Sequence, residues 1–592
     1  MSQIGRRDKS LVSASRWLWE YWWALGIIGI AGLLVLWHVA VVLTTPAGWQ
    51  DFEAGLQGVA SGNVLYGIPG AGIWTVVVFA LEFLVLGALL FALVFWRERL
   101  RARRPGKGML TRKMHRDALS LEAVLSPSRD GKFWPEDSEV PREKRAFNIG
   151  AAMFGTRTES SWFGQEQHLC VVARTGAGKT YRLMGRAALD APGALVVTTT
   201  KPDLLDLLYT PRSEMGKVWV SDMQDLVGWH DRMRWDFLAG CENAKVARSR
   251  AKDLIGGGAD KGEEVKNSSF WENRARDVLA ALLYAAALDG RTMRDVIQWA
   301  YEFPKNKQPN RILSEHPTSQ KNILRQLVAT GNGADDTVAS TRDTLHTAIS
   351  ALAFDEIVAQ FEPDEDGVAF DADAFVRSND TLIIIADERD PLDVSNLASV
   401  LLGAVVQAAK NAGRRQASGR LSPPLRLVLD EVANIAPLPD FPAMLSDVRS
   451  YGMNVVFAVQ GMAQVQKTWG DKEAKMLSQN SAGMLILGGS TETEHLEDIS
   501  KLAGTVDVAQ VTTQMHQHGT VRGQQSYQEQ EKKVLKIEEI SRLEPGEGLL
   551  VTGILPPVVL NLPGWTERPD GDELSAQMKV TSTKRAEHAA LD

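Results

Sequence analysis

The run Val171-Val172-Ala173-Arg174-Thr175-Gly176-Ala177-Gly178-Lys179-Thr180 constrains the fold more than any other stretch of the chain. It reads as an apolar strand, a glycine-rich turn and a helix opening at Tyr181. From Ala173 to Thr180 it fits a phosphate-binding loop, with alanine in the first glycine position. Gly176 and Gly178 lack Cβ, so the backbone there can bend tightly and aim its N–H groups at phosphate oxygens. Lys179 carries the charge that meets the β- and γ-phosphates, and Thr180 offers a hydroxyl to Mg2+. The helix N-terminus behind the loop adds partial positive charge. The expected binding set is Arg174, Thr175, Gly176, Ala177, Gly178, Lys179, Thr180 and Tyr181.

Ahead of this loop the chain changes character twice. Residues 1–21 are polar, with Arg6, Arg7, Lys9 and Arg16. Trp22 to Thr44 then carries no formal charge, and Ile73 to Trp96 carries only Glu82. Each run is long enough to span a bilayer, and Trp22 and Trp23 suit its interface. A signal peptide would have a shorter apolar region and no second span so soon. The loop between the runs holds Asp51 and Glu53 but no Lys or Arg. Arg97, Arg99, Arg101, Arg103, Arg104 and Lys107 follow the second run closely. This asymmetry predicts a transmembrane hairpin over 22–96 with both termini cytoplasmic and the loop outside. Glu82 in mid-span requires a partner or a proton. Residues 97–165 read as a basic juxtamembrane segment and linker, with Pro105, Pro127, Pro135 and Pro141.

From residue 166 apolar strands alternate with helical stretches. They are expected at His168–Ala173, Gly193–Thr200, Val218–Val220, Thr381–Ala386, Leu425–Leu429, Asn454–Val459, Met484–Leu487 and Gly548–Thr552. Such alternation argues for an α/β domain with a parallel sheet and helices on both faces. Strands vanish between 243 and 353. There Trp271, Ala275, Val278, Leu279 and Leu282 fall on one helical stripe, so an all-α domain is expected as an insertion. The nucleotide-binding domain then comprises 166–242 and 354–565, and 566–592 reads as a flexible polar tail. Two cysteines, Cys170 and Cys241, exclude a disulfide framework and a cysteine-based zinc site. A net charge of −8 confines any nucleic-acid contact to a local channel or patch.

The second half of a phosphate-handling site stands at Leu425-Arg426-Leu427-Val428-Leu429-Asp430-Glu431, an apolar strand ending in two acids. This suits an ATP hydrolase. Asp430 can share the Mg2+ that Thr180 touches, and Glu431 can orient or activate the attacking water. Gln460, closing the strand Asn454–Val459, can contact the γ-phosphate or that water. Arg449 can reach a neighbour's phosphate as an arginine finger if the protein forms a ring. Lys179, Glu431, Arg449 and Gln460 are the catalytic candidates, with ATP and Mg2+ as cofactors.

Several of these runs carry a family likeness. Leu429-Asp430-Glu431-Val432-Ala433-Asn434-Ile435-Ala436-Pro437-Leu438-Pro439-Asp440-Phe441 resembles the acidic signature of type IV secretion coupling proteins. Arg449-Ser450-Tyr451-Gly452-Met453-Asn454, Gln460-Gly461-Met462-Ala463-Gln464-Val465 and Arg234-Trp235-Asp236-Phe237-Leu238 resemble further elements of that family. So does Pro545-Gly546-Glu547-Gly548. Ala173, Val432 and Lys201-Pro202-Asp203 depart from its pattern. The resemblance implies an inner-membrane homohexamer with a RecA-like motor and an all-α domain over its cytosolic mouth. Its implied partners are a relaxase bound to single-stranded DNA and the other components of the secretion channel. Two alternatives are weighed against this: a septal DNA translocase of the FtsK type, and a nucleotide-gated receptor for secreted proteins that moves no DNA. The first generally has more spans and a C-terminal DNA-reading domain for which 566–592 is too short.

Overall fold

The computed structural model describes Val78, Leu81, residues 108–126, Trp134, and residues 140–256, 265–363, 368–513 and 525–589. The chain divides into two units, Met1–Arg104 and Pro105–Asp592. The spans expected at 22–44 and 73–96, with Glu82, lie outside the described residues except for Val78 and Leu81. Among the described residues no helix is long and apolar enough to cross a membrane.

The second unit is built on one large sheet. Its strands begin with β1 (Phe147–Phe154), β2 (Arg157–Phe163), β3 (Leu169–Val172), β4 (Leu195–Thr199), β5 (Val218–Asp222) and β6 (Thr381–Ile385). They continue with β7 (Leu425–Leu429), β8 (Met453–Val459) and β9 (Gly483–Leu487). The ribbon β10 (Thr505–Thr513) and β11 (Gln525–Lys533) stands apart, and β12 (Glu547–Thr552) and β13 (Val558–Asn561) rejoin the sheet. The order across the sheet is β2-β1-β13-β12-β9-β3-β8-β7-β4-β6-β5. From β9 to β5 every pairing is parallel, and from β9 to β2 every pairing is antiparallel. The central parallel strands β3, β4, β6, β7, β8 and β9 are buried at every position, which is why they read as mainly apolar runs, with Arg426 in β7 and Asn454 in β8 among the buried polar exceptions. Alternate residues serve opposite cores. Cys170 and Val172 belong to the core that includes Leu397 and Leu401 of the helix Ser395–Arg415, while Leu169 and Val171 belong to the core that includes Leu204 and Leu208 of Asp203–Ser213.

Between β5 and β6 the chain forms helices Ala244–Gly256, Val265–Leu288, Met293–Tyr301, Gln308–Glu315, Lys321–Gly331 and Asp335–Ala348. Ala275, Val278, Leu279 and Leu282 of the expected stripe are all buried.

Two segments differ from the expectation. The linker 97–165 contains β1 and β2, which extend the sheet beyond β13. β2 is the outermost strand, unburied over Arg157–Ser160 and buried only at Ser161 and Phe163, so it lacks an apolar run. The tail 566–592 is not a flexible polar segment over Gly571–Ala589, which form a helix. Gly571, Leu574 and Thr581 are buried there, and Arg585 grips Asp206 through Nε and Nη2, both at 3.0 Å. Two of its anchors, Thr581 and Arg585, are polar, so the amphipathic signal was too sparse to read.

Candidate active site

The phosphate loop leaves β3 at its C-terminal end, where a parallel sheet collects its loops. Gly176 and Gly178 have φ of +82° and +81°, the left-handed region a side chain disfavours. A Cβ on Gly176 would meet nothing within 4 Å, so that part of the loop faces open space. Lys179 is buried at the loop's end, followed by a wide π-helical turn, Thr180–Met184, in which the Gly185 N–H reaches the Thr180 carbonyl.

The acid pair comes from β7, separated from β3 by β8. Sheet register carries Asp430 to the same edge, and the Thr198 hydroxyl of β4 donates to its carbonyl at 2.8 Å. Lys179 Nζ lies 3.0 Å from Asp430 Oδ1 and 2.8 Å from Glu431 Oε1. The Thr180 hydroxyl donates to Asp430 Oδ2 at 2.9 Å. Burial alone would pull the Lys179 ammonium down. The charges and hydrogen bonds of Asp430 and Glu431 outweigh it, and its pKa stands above the ordinary lysine value. Burial raises the Asp430 carboxyl, against the pull of Lys179 and Thr180. Glu431 has a φ of +52°, a left-handed backbone for a non-glycine residue. Such a conformation costs about 1–3 kcal/mol and concentrates at functional sites.

The donor set fits a magnesium ion. Asp430 Oδ1 is buried and faces the Lys179 ammonium, which a cation can replace, and Thr180 adds a hydroxyl oxygen. Hard oxygen donors, few in number and completed by phosphates and water, are what Mg2+ selects.

Gln460 follows the last residue of β8 on this same edge, and the Ala173 N–H meets the Val459 carbonyl beside it at 3.0 Å. Arg449 does not join the group. It is exposed, just before β8, and close enough to His168 at the start of β3 for its charge to act there. Burial chiefly, with Arg449 adding, takes His168 down to about 4. The seven residues of β8 separate Arg449 from Gln460 by about 20 Å. Arg449 therefore cannot serve the phosphate loop of its own chain.

Tyr181, of the expected binding set, is joined at the site by residues that were not singled out from the sequence. Tyr181 packs edge-on against Trp565 at 6.0 Å and hydrogen-bonds with the Thr566 hydroxyl. Arg182 donates to the Leu562 carbonyl at 2.6 Å. Asn434, Gln464 and Glu492 form a polar wall behind Gln460. Asn434 and Gln464 lie within the sequence elements that carry the family likeness, which was their available signal.

Comparison with known proteins agrees with this geometry. The model of the family described as type IV secretory system conjugative DNA transfer matches residues 127–588. A probable conjugal transfer protein TraG of Sinorhizobium fredii (strain NBRC 101917 / NGR234) is 22% identical over 414 residues. That alignment covers 68% of this chain and 62% of the relative, less than two thirds of its length. The bacterial conjugative coupling protein TrwBdeltaN70, in its unbound monoclinic form, is 19% identical with a TM-score of 0.52. The match covers 67% of this chain and 85% of that one. The plasmid coupling protein TrwB in complex with the non-hydrolysable GTP analogue GDPNP is 18% identical with a TM-score of 0.52, covering 71% and 94% respectively. At these identities the likeness is one of fold.

Proposed function

The chain belongs to the type IV secretory system conjugative DNA transfer family, and from that premise we propose that it is an ATPase that drives DNA into a secretion channel. The carrying observation is the convergence of Lys179, Thr180, Asp430 and Glu431 within hydrogen-bonding distance at one sheet edge. The backbone turn at Gly176–Gly178, open at Gly176, receives the ATP phosphates. Lys179 leaves its two acids to meet the β- and γ-phosphates. Thr180 and Asp430 would hold Mg2+, which would supply positive charge against the phosphates. Glu431, freed from Lys179, takes up the attacking water, and Gln460 stands across from it.

The RecA-like homohexamer belongs to the same proposal. An exposed Arg449 on the sheet edge remote from its own phosphate loop is supported as a residue for a neighbour's site. The N-terminal hairpin 22–96 anchors this ring in the inner membrane, and a relaxase carrying single-stranded DNA is its cargo.

The test is ATP turnover by the purified protein with and without single-stranded DNA of increasing length. Turnover should rise with strand length and vanish in Lys179→Ala. Turnover unaffected by the substitution would overturn the site. Turnover indifferent to DNA but stimulated by a secreted protein would favour the receptor reading.

A further inference from the structure

We infer that Gln464 is a positioning residue: its carboxamide ties the strand end bearing Gln460 to the turn bearing Glu431, holding both against the attacking water. This deepens the ATP-hydrolysis reading and rests on it.

Gln464 lies half-buried in the helix Met462–Trp469. Its Oε1 accepts the Gln460 backbone N–H at 3.0 Å, and its Nε2 donates to Asn434 Oδ1. Asn434 sits in the short helix Val432–Ile435, and its own N–H returns to the Glu431 carbonyl at 2.9 Å. One side chain thus bridges two elements that reach the site on adjacent strands, β8 and β7. A carboxamide suits this place because it presents an acceptor and a donor in one rigid plane. The first turn of its helix is pinned as well, since Glu492 Oε2 accepts the Met462 N–H at 2.9 Å.

The bridge has a mechanical consequence. Glu431 holds a left-handed backbone that persists only where surrounding contacts over-determine it. The Asn434–Gln464 contact is one such restraint, a single further hydrogen bond, Asn434 N–H to the Glu431 carbonyl, joining it to the Glu431 backbone. Cutting it leaves the phosphate loop, Lys179, Thr180 and Asp430 in place. Nucleotide binding should survive while the water-activating geometry loosens. A misplacement of that kind lowers turnover and spares affinity.

The experiment measures kcat and KM for ATP, with melting midpoints, on the full chain and four variants. Gln464→Leu removes both contacts at similar volume; kcat should fall by about tenfold with KM within about twofold. Gln464→Glu still accepts the Gln460 N–H, and Asn434 can turn its amide to donate to the new carboxylate. Asn434→Asp still accepts from Gln464. Each of these should keep kcat within about threefold of wild type, because one amide donor remains. The double variant Asn434→Asp/Gln464→Glu sets two carboxylates face to face without changing shape. At pH 8 its kcat should fall about tenfold or more below the product of the single effects, and the deficit should shrink toward pH 6 as the pair shares a proton. A purely structural contact would show in the melting midpoint and would not give this pH-dependent coupling in kcat. Wild-type kcat in Gln464→Leu, or strictly multiplicative effects in the double variant, would overturn the inference while leaving ATP hydrolysis intact. Absence of turnover in the wild-type protein would overturn both.

Discussion

Replacing Lys179 by methionine should destabilise the nucleotide-free protein, apart from any effect on catalysis. Lys179, Asp430 and Glu431 are only 6%, 6% and 9% exposed, and the ammonium lies within 3.0 Å of both acids. Its removal leaves two adjacent carboxylates buried without a counter-charge. Breaking a buried pair by deleting one partner costs about 3–5 kcal/mol. Unfolding entropy near 2.1 cal/mol/K per residue means that a unit as large as 105–592 loses about 1 °C in midpoint per kcal/mol. The midpoint should therefore fall by about 3–5 °C at pH 7.5. The sign of the pH dependence follows from the two raised pKa values. The raised Lys179 contributes stability throughout neutral pH, lost only as alkaline pH passes its folded pKa. The raised Asp430 binds a proton more tightly folded than unfolded, so its contribution is unfavourable above the ordinary carboxylate range. Without Lys179 the Asp430 carboxyl rises further. The deficit of Lys179→Met should then be largest near pH 8 and shrink as pH falls toward 5. Adding Glu431→Gln should recover part of the loss. Thermal melts of the wild type, Lys179→Met and the double variant across this range, in the absence of nucleotide, provide the assay. A wild-type midpoint for Lys179→Met at pH 7.5, or a deficit that does not change with pH, would refute the reasoning.

Further outcomes follow from the same geometry. Glu431→Gln should bind ATP in an equilibrium assay yet hydrolyse it about 10²–10⁴-fold more slowly, since it keeps shape and loses the base; loss of binding as well would make Glu431 a binding residue. Arg449→Ala subunits and Lys179→Ala subunits should each be inactive as homomers, yet a mixture should regain part of the ATPase activity through junctions joining an intact loop to a neighbour's Arg449. Normal hydrolysis by Arg449→Ala alone would remove its finger role. Arg585→Ala strands Asp206, itself 4% exposed, and should cost about 2–3 kcal/mol and speed proteolytic release of the C-terminal helix; an unchanged digestion pattern would contradict the docking. Reporter fusions should read outside at residue 58 and cytoplasmic at residue 130, and the reverse would contradict the charge asymmetry.

What the sequence determined by itself was local. A glycine-rich turn between strand and helix needs backbone freedom that few residues give, so Gly176 and Gly178 identify it without neighbours. The central parallel strands are buried on both faces and are mainly apolar, so β3, β4, β6 and β7 stand out as runs even with the buried Arg426 inside β7. The acids after β7 were legible because their strand is. Tertiary structure alone decided what depends on strand order and on contacts distant in sequence. The placing of β8 between β3 and β7 brings Gln460 to the phosphate loop and, by the same strand's length, sends Arg449 to the opposite edge. The sheet's antiparallel flank recruited β1 and β2 from a segment whose half-exposed pattern resembles a linker. The C-terminal helix docks through Leu574, Thr581 and Arg585, too few apolar positions to register as a stripe. The Gln464 bridge exists only because two chain segments thirty residues apart end on neighbouring strands, and hydrogen bonds of that kind leave no period in the sequence.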